Sequence, residues 1–141
     1  MEQRLTLVTL GVGDLARSRA FYAALGWVEV EPRRDSVAFF QLNGIGLSLF
    51  ARADLAKDAG VPEDGHGFRG VSLAHNLRSR EAVDAAFAEM IAAGASPVKA
   101  PQPVFWGGYA AYVADPDEHL WELAHNPFAP LDAEGNVSLA G

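Results

Sequence analysis

The chain carries an internal repeat that limits the folds it can adopt. The segment Leu15–Arg19 matches Leu77–Arg80, and Ala23–Gly26 matches Ile91–Gly94, so a unit of about 60 to 70 residues occurs twice. Each half follows the order strand, helix and three strands, and each half is too small to bury both faces of its own sheet. We therefore predict an α+β fold of two βαβββ modules that form a curved mixed sheet, with helices on the convex face and a ligand cavity on the other.

The elements of the first module are predicted from periodicity and turn signals. Asn43-Gly44 lies between two apolar runs and is a strong hairpin signal. Asp14 suits a helix N-cap and Gly26 a helix stop. The predicted elements are strand 5–12, helix 15–25, strand 27–31, the hairpin strands 37–42 and 45–50, and a short helix after Ala51 that ends at Gly60.

The second module is predicted in the same way. Ser79 caps a longer helix whose inward face includes Val83 and Met90, and Gly94 ends it. The other predicted elements are strand 70–76, a strand-like piece at 97–99, a Pro-rich loop at 100–103, and the hairpin strands 109–114 and 120–125. We assign residues 1–126 to a single domain with modules 5–51 and 70–126, and residues 127–141 to an extended C-terminal tail.

Composition narrows the possible partners and compartment. The 141 residues include 18 Asp and Glu against 11 Lys and Arg, which gives a formal net charge of −7. Such a surface repels phosphate backbones, so we expect no nucleic-acid partner and a neutral or cationic small molecule instead. There is no Cys, no secretory leader pattern and no apolar run of about 18 residues, so we expect a cytoplasmic protein without a membrane partner.

Two motifs resemble a known superfamily. The stretch from Val12 to Trp27 contains Asp-Leu-x-x-Ser-x-x-Phe-Tyr and then Leu-Gly-Trp, and Asp115–Leu123 reads Asp-Pro-Asp-Glu-His-Leu-Trp-Glu-Leu. Together they resemble the vicinal oxygen chelate superfamily, which includes glyoxalase I, the bleomycin-resistance proteins and the extradiol dioxygenases. The resemblance covers about residues 5 to 126 and implies the fold predicted above. It also implies a homodimer, for which an exposed sheet edge gives a physical reason.

The resemblance further implies a divalent metal held by one residue from each of four strands. Carried onto this sequence, the four positions fall on Leu7, on Leu49 or Ser48, on Gly70 or Val71, and on Glu122. The repeat aligns Leu49 with Glu122. Because one carboxylate among apolar residues cannot chelate an ion, we expect no metal ligands at these positions and no cofactor.

Glu122 is therefore the candidate catalytic residue. Its neighbours on the strand face are Leu120 and Ala124, and such surroundings disfavour the ionised carboxylate. It could act as a general acid or base, or as the counter-charge of a cationic ligand. The alternative is a carboxylate that an Arg or Tyr satisfies and that does no chemistry.

The remaining candidates would bind the ligand. We expect a cup lined by Leu7, Thr9, Leu49, Trp106 and Glu122. In the stretch from Phe105 to Tyr109, aromatic residues beside two glycines suit a stacked flat ligand. Tyr109 is therefore also predicted to contact the ligand. The alternative is that Trp106 packs this loop onto the core.

The histidines and one glycine motif complete the set of candidates. His75 is a candidate at the cavity rim, or else a structural hydrogen-bonding group. We interpret His66 and His119 as solvated and His125 as packed against the helix layer. The motif Gly-x-Gly-x-x-Ala at residues 11–16 is not a dinucleotide site, because Asp14 places negative charge where the pyrophosphate would bind.

The hypothesis from the sequence is a small-molecule binding protein of the bleomycin-resistance type, with a degenerate metal site and an apolar or aromatic ligand. The alternative is a metal-dependent lyase, isomerase or dioxygenase of glyoxalase type, or a metal-free enzyme with Glu122 as base. The sequence leaves catalysis itself undecided.

Overall fold

The computed structural model describes residues 1–139 and divides the chain into two compact units, Met1–Arg69 and a second that begins at Gly70. Each unit has its own mixed sheet and its own helices. This architecture is the predicted α+β class with a repeated module. No helix among the described residues combines the length and hydropathy needed to span a bilayer.

The first unit has a three-stranded sheet. The helices and strands are β1 (Leu7–Val12), α1 (Leu15–Ala24), β2 (Val37–Gln41), β3 (Gly46–Ala51) and α2 (Arg52–Ala59). β1 pairs in parallel with β3, and β2 pairs with β3 antiparallel, so the spatial order is β1-β3-β2.

The two faces of the first sheet differ in what covers them. One face, the α1 face, packs against helix α1, where the Tyr22 ring lies 6.0 Å from the Phe40 ring. Strand alternation places Leu10, Leu47 and Leu49 on this face, and all three are buried. The opposite face carries Thr9 and Ser48; we call it the Thr9 face.

The second unit has a four-stranded sheet. Its elements are β4 (Ser72–Asn76), α3 (Arg80–Ala93), β5 (Ser96–Pro103), β6 (Tyr109–Ala114) and β7 (Leu120–His125). The spatial order of the strands is β4-β7-β6-β5. β4 pairs in parallel with β7, and β6 pairs antiparallel with both β7 and β5.

Helix α3 covers one face of the second sheet. The hydroxyl of Tyr109 donates to Asp84 Oδ1 on α3 at 2.7 Å, which identifies this α3 face. Alternation along β6 and β7 puts Val113, Trp121 and Leu123 on the same face, and all three are buried. The other face carries Glu122, and we call it the Glu122 face.

The predicted helix ends are confirmed by their caps. Asp14 Oδ1 accepts from the Arg17 amide at 3.1 Å, and Ser79 Oγ accepts from the Ala82 amide at 3.1 Å. Gly94 ends α3 in the left-handed region, with φ of 115°. The side chains of Asp14 and Ser79 thus accept from backbone amides that have no acceptor inside the helix.

Three predicted segments differ in the structure. Residues 27–31 do not form a strand: Glu29 makes only an isolated bridge to Phe40, because Pro32 follows closely and has no amide to continue the pairing. The predicted loop at 100–103 belongs to β5, since an edge strand tolerates proline and the irregular register absorbs it. The tail is not uniformly extended, because Leu131 bridges Val137 around a turn.

Candidate functional site

The Glu122 face brings together one carboxylate and one phenol. Tyr112 on β6 lies directly across from Glu122 on β7, and its hydroxyl donates to Glu122 Oε2. This hydrogen bond raises the pKa of Tyr112, and partial burial and the charge of Glu122 add to the effect. Both side chains are half-buried. The exposed parts of this Glu–Tyr pair are accessible to a ligand, although Ala110 and Ala124 on the same face are buried.

The second oxygen of Glu122 is available. Its Oε1 accepts no hydrogen bond from residues 1–139, and no Lys, Arg or His in that range forms an ion pair with it. Its neighbours on the face are small: Ala74 lies opposite on β4, Ala124 follows on β7, and Ala110 lies across on β6. The face can therefore present a negative charge within a mostly apolar patch.

The Thr9 face of the first unit carries hydroxyl groups and apolar side chains. The Thr9 and Ser48 side-chain oxygens are 2.6 Å apart, and either hydroxyl can donate. Leu7 lies on the same face and is 42% exposed. The predicted ligand contacts Leu7 and Thr9 thus share one surface.

Leu49 lies on the other side of that sheet. It is fully buried on the α1 face, so the structure does not bring it together with Leu7 and Thr9. Ser48 instead occupies the face that corresponds to the face of Glu122 in the second sheet. The alignment of Leu49 with Glu122 is wrong by one residue, because in a strand such a shift moves a side chain to the opposite face.

His75 and Tyr109 lie on the α3 face, opposite Glu122. His75 pairs with Leu123, and burial lowers its pKa while the charge of Glu89 opposes that shift. The Tyr109 hydroxyl is engaged by Asp84, which raises the pKa of Tyr109. The Arg80 guanidinium lies 5.3 Å from the centre of the Tyr109 ring. The roles of His75 and Tyr109 as ligand contacts stay predictions.

Trp106 folds back onto its own loop. Its ring lies over Gly108, at a place where a Cβ on that glycine would collide with it. The indole remains 37% exposed, whereas neighbouring Phe105 is fully exposed. Glycine at 108 is thus required by the packing of Trp106, and an exposed indole edge is left for a ligand.

Tyr112 was not predicted as the partner of Glu122. The hairpin turn at 115–118 could have indicated this pairing, because it sets which residues of β6 and β7 lie opposite each other. In this turn, Asp115 Oδ1 accepts from the amides of Asp117 and His119 at 2.9 Å each. Counting outward from that turn pairs Ala114 with Leu120 and then Tyr112 with Glu122.

The donors present do not fit a divalent metal. The Thr9 face offers hydroxyls and leucine, and the Glu122 face offers one carboxylate whose nearest polar neighbour is a phenol. Across residues 1–139, no group of three or more His, Cys, Asp and Glu side chains could hold a metal ion. A divalent ion of the kind that the resemblance implies needs several such ligands.

Comparison with known proteins identifies the class. Residues 4–123 match the Glyoxalase/Bleomycin resistance protein/Dioxygenase superfamily, and the chain belongs to it. This confirms the resemblance on which the sequence analysis relied. No curated protein matches the chain.

Several solved structures share the fold. A glyoxalase-related enzyme from Fulvimarina pelagi is 36% identical, with a TM-score of 0.91, and the match covers 99% of this chain and 100% of that one. Lactoylglutathione lyase from Agrobacterium tumefaciens is 23% identical with a TM-score of 0.66, over 89% and 96% of the two chains. The fosfomycin resistance protein FosX from Listeria monocytogenes is 24% identical with a TM-score of 0.69, over 91% and 97%.

Proposed function

We propose that this protein binds a small apolar or aromatic molecule on the Glu122 face, prefers a ligand with a cationic group, and uses no metal at the position implied by the resemblance. The observation that carries the proposal is the state of Glu122, whose Oε2 accepts from Tyr112 while Oε1 has no partner in residues 1–139. An ammonium group would pair with that free oxygen.

The surroundings of Glu122 support an aromatic or apolar ligand body. Ala74, across from Glu122 on β4, is exposed and leaves space beside the carboxylate, whereas Ala110 and Ala124 are buried. The Tyr112 ring offers a surface over which a cation is attracted. The net charge of −7 also favours a cation over an anion at this face. The predicted contributions of Leu7, Thr9 and Trp106 remain predictions, whereas Leu49 is buried on the α1 face and is not proposed as a ligand contact.

A matched pair of probes tests the charge requirement. Phenyltrimethylammonium and tert-butylbenzene have nearly the same shape and differ in charge. In Glu122→Gln we expect the affinity for the cation to fall about five- to tenfold and that for the neutral probe to stay within about twofold, as measured by NMR titration. Glu81→Gln removes the same charge from α3 and should leave both affinities unchanged. Equal losses for both probes in Glu122→Gln would contradict the counter-charge role.

A second candidate is an enzyme of glyoxalase type. It is favoured by the 36%-identical relative, which is described as a glyoxalase-related enzyme. In this case the protein would be a metal-dependent lyase, isomerase or dioxygenase, or would use Glu122 as a base.

Metal analysis of protein purified without chelators separates the two candidates. Our first proposal predicts no stoichiometric Zn, Ni, Mn or Fe. A stoichiometric metal would overturn it, and Glu122→Gln should then remove both the metal and any turnover.

A further inference from the structure

A cavity of about 410 Å³ lies within the second unit, at the carboxyl ends of the parallel strands β4 and β7. Tyr112 does not line this cavity, and the segment after β7 closes one side of it. Carboxyl ends of parallel strands are a common location for ligands. The volume falls in the range of small-molecule sites.

Arg78 gives this cavity a positive charge. Its guanidinium donates to three backbone carbonyls, of which the Asp132 oxygen is nearest at 2.6 Å. Within residues 1–139 it forms no ion pair with a carboxylate. The carbonyls hold the guanidinium in place without cancelling its charge.

Three further polar side chains face the same cavity. The Asn76 side chain has no hydrogen bond to any residue that the structure describes. His125 uses Nδ1 in a 3.1 Å hydrogen bond with the Leu77 carbonyl, which leaves Nε2 for another partner. Asn126 accepts from the Phe128 amide through Oδ1, and its amide nitrogen remains a donor. Asn76 and Asn126 can therefore both donate into the cavity.

The remaining wall is apolar. Pro127 and Leu131 line it, and none of the described residues that line it is acidic. A fixed cation, amide donors and an apolar wall together match an anionic head on a compact apolar body.

We propose that this cavity is a second ligand site that binds a small monocarboxylate with a compact apolar or aromatic body, with Arg78, Asn76 and Asn126 around the carboxylate. The site is independent of the Glu122 face, which favours ligands of the opposite charge. Failure of one proposal leaves the other standing.

Three probes of stated chemistry test the proposal on the full chain. Benzoate carries the expected anion, benzamide is its neutral counterpart of similar shape, and inorganic phosphate is an anion without the apolar body. In ¹H–¹⁵N NMR titrations we expect saturable benzoate binding with shifts at residues 76–78 and 125–131, and at least tenfold weaker binding of benzamide and of phosphate. Equal binding of benzoate and benzamide, tighter binding of phosphate, or shifts confined to the Glu122 face would overturn the proposal.

Asn76→Asp is the decisive variant, because it keeps the side-chain shape, leaves the Arg78 contacts in place and adds a negative charge to the cavity. It should weaken benzoate binding at least tenfold and change benzamide binding less than twofold. Arg78→Gln should also weaken benzoate binding, and the matched control Arg80→Gln removes the same charge from a residue that does not line the cavity. A benzoate affinity unchanged in Asn76→Asp, or equally reduced in Arg80→Gln, would contradict the assignment.

Discussion

At the scale of single residues, the Tyr112–Glu122 pair shows how one cross-strand contact sets the chemistry of a face. The Tyr112 hydroxyl donates to a charged acceptor, so its neutral form is favoured and its pKa lies above the ordinary value near 10. A raised pKa of this kind contributes stability that is present below the ordinary value and is lost as pH rises through the folded-state value.

The pair makes a direct titration prediction. In Glu122→Gln the acceptor loses its charge, so the pKa of Tyr112 should fall toward its ordinary value. The ultraviolet absorbance of tyrosinate, followed against pH, measures this change. Because Tyr22 and Tyr109 also absorb, Tyr112→Phe identifies which step belongs to Tyr112. A Tyr112 step at the same pH in Glu122→Gln and in the unmodified protein would rule out the charge of Glu122 as a cause of the raised pKa.

Gly108 is a second residue whose identity the structure explains. A Cβ at this position would collide with the Trp106 ring and lie 2.8 Å from the His125 carbonyl oxygen. We expect Gly108→Ala to lower the free energy of unfolding by about 1 to 3 kcal/mol in urea denaturation. Gly11→Ala is the control, since its Cβ would lie 3.4 Å from the nearest atom, and it should cost less. Adding Trp106→Ala to Gly108→Ala should recover part of the lost free energy of unfolding. Similar losses for Gly108→Ala and Gly11→Ala would refute this explanation.

At the scale of elements, a buried ion pair ties helix α1 to the segment before β2. The Glu29 side chain is 5% exposed and accepts from Arg19 Nη2 at 3.0 Å, while the mostly exposed Arg33 lies 3.4 Å away. Arg19 also donates to the carbonyls of Arg34 and Val37. The irregular segment 29–37 is therefore held by one guanidinium in place of strand pairing.

Removal of that guanidinium should be costly. Arg19→Met leaves a buried carboxylate with only an exposed partner, so we expect a loss of about 3 kcal/mol in the free energy of unfolding. Arg33→Met should cost less than about 1 kcal/mol, because that arginine is solvated. The double variant Arg19→Met with Glu29→Met should be more stable than Arg19→Met alone, since the buried charge is gone. Additive losses in this cycle would show that the two residues do not interact.

Elements were predictable from sequence where local chemistry determines them. The Asn43-Gly44 turn and the caps Asp14 and Ser79 identified a hairpin and both long helices, because these signals act within a few residues. The proline-containing β5 was missed, since only its place at a sheet edge makes it tolerable. The face of Leu49 was also missed, because it depends on register, and a shift of one residue reverses it. Glu122 was identified as a candidate, but its partner required that same register.

At the scale of the whole molecule, each sheet ends in a strand whose outer edge has no partner within that sheet. β1 is an edge of the first sheet, and β4 is an edge of the second. Apolar residues next to such an edge, including Val71 at 62% exposed, add surface that water solvates poorly. Among residues 1–139, a strand edge that has no partner in its own sheet and is flanked by apolar residues favours association with another chain.

This surface leads us to predict a homodimer, with a mass of twice 15.0 kDa by sedimentation equilibrium. A lysine at an edge strand discourages pairing between chains, because its ammonium must stay hydrated. Val71→Lys should therefore shift the equilibrium toward monomer by at least tenfold in dissociation constant. Val28→Lys makes the same change at an 83% exposed position that does not flank β4 in the sequence, and it should leave the dimer intact. A monomeric parent protein would contradict the prediction, and equal weakening by both variants would show that added charge, and not the β4 edge, governs association.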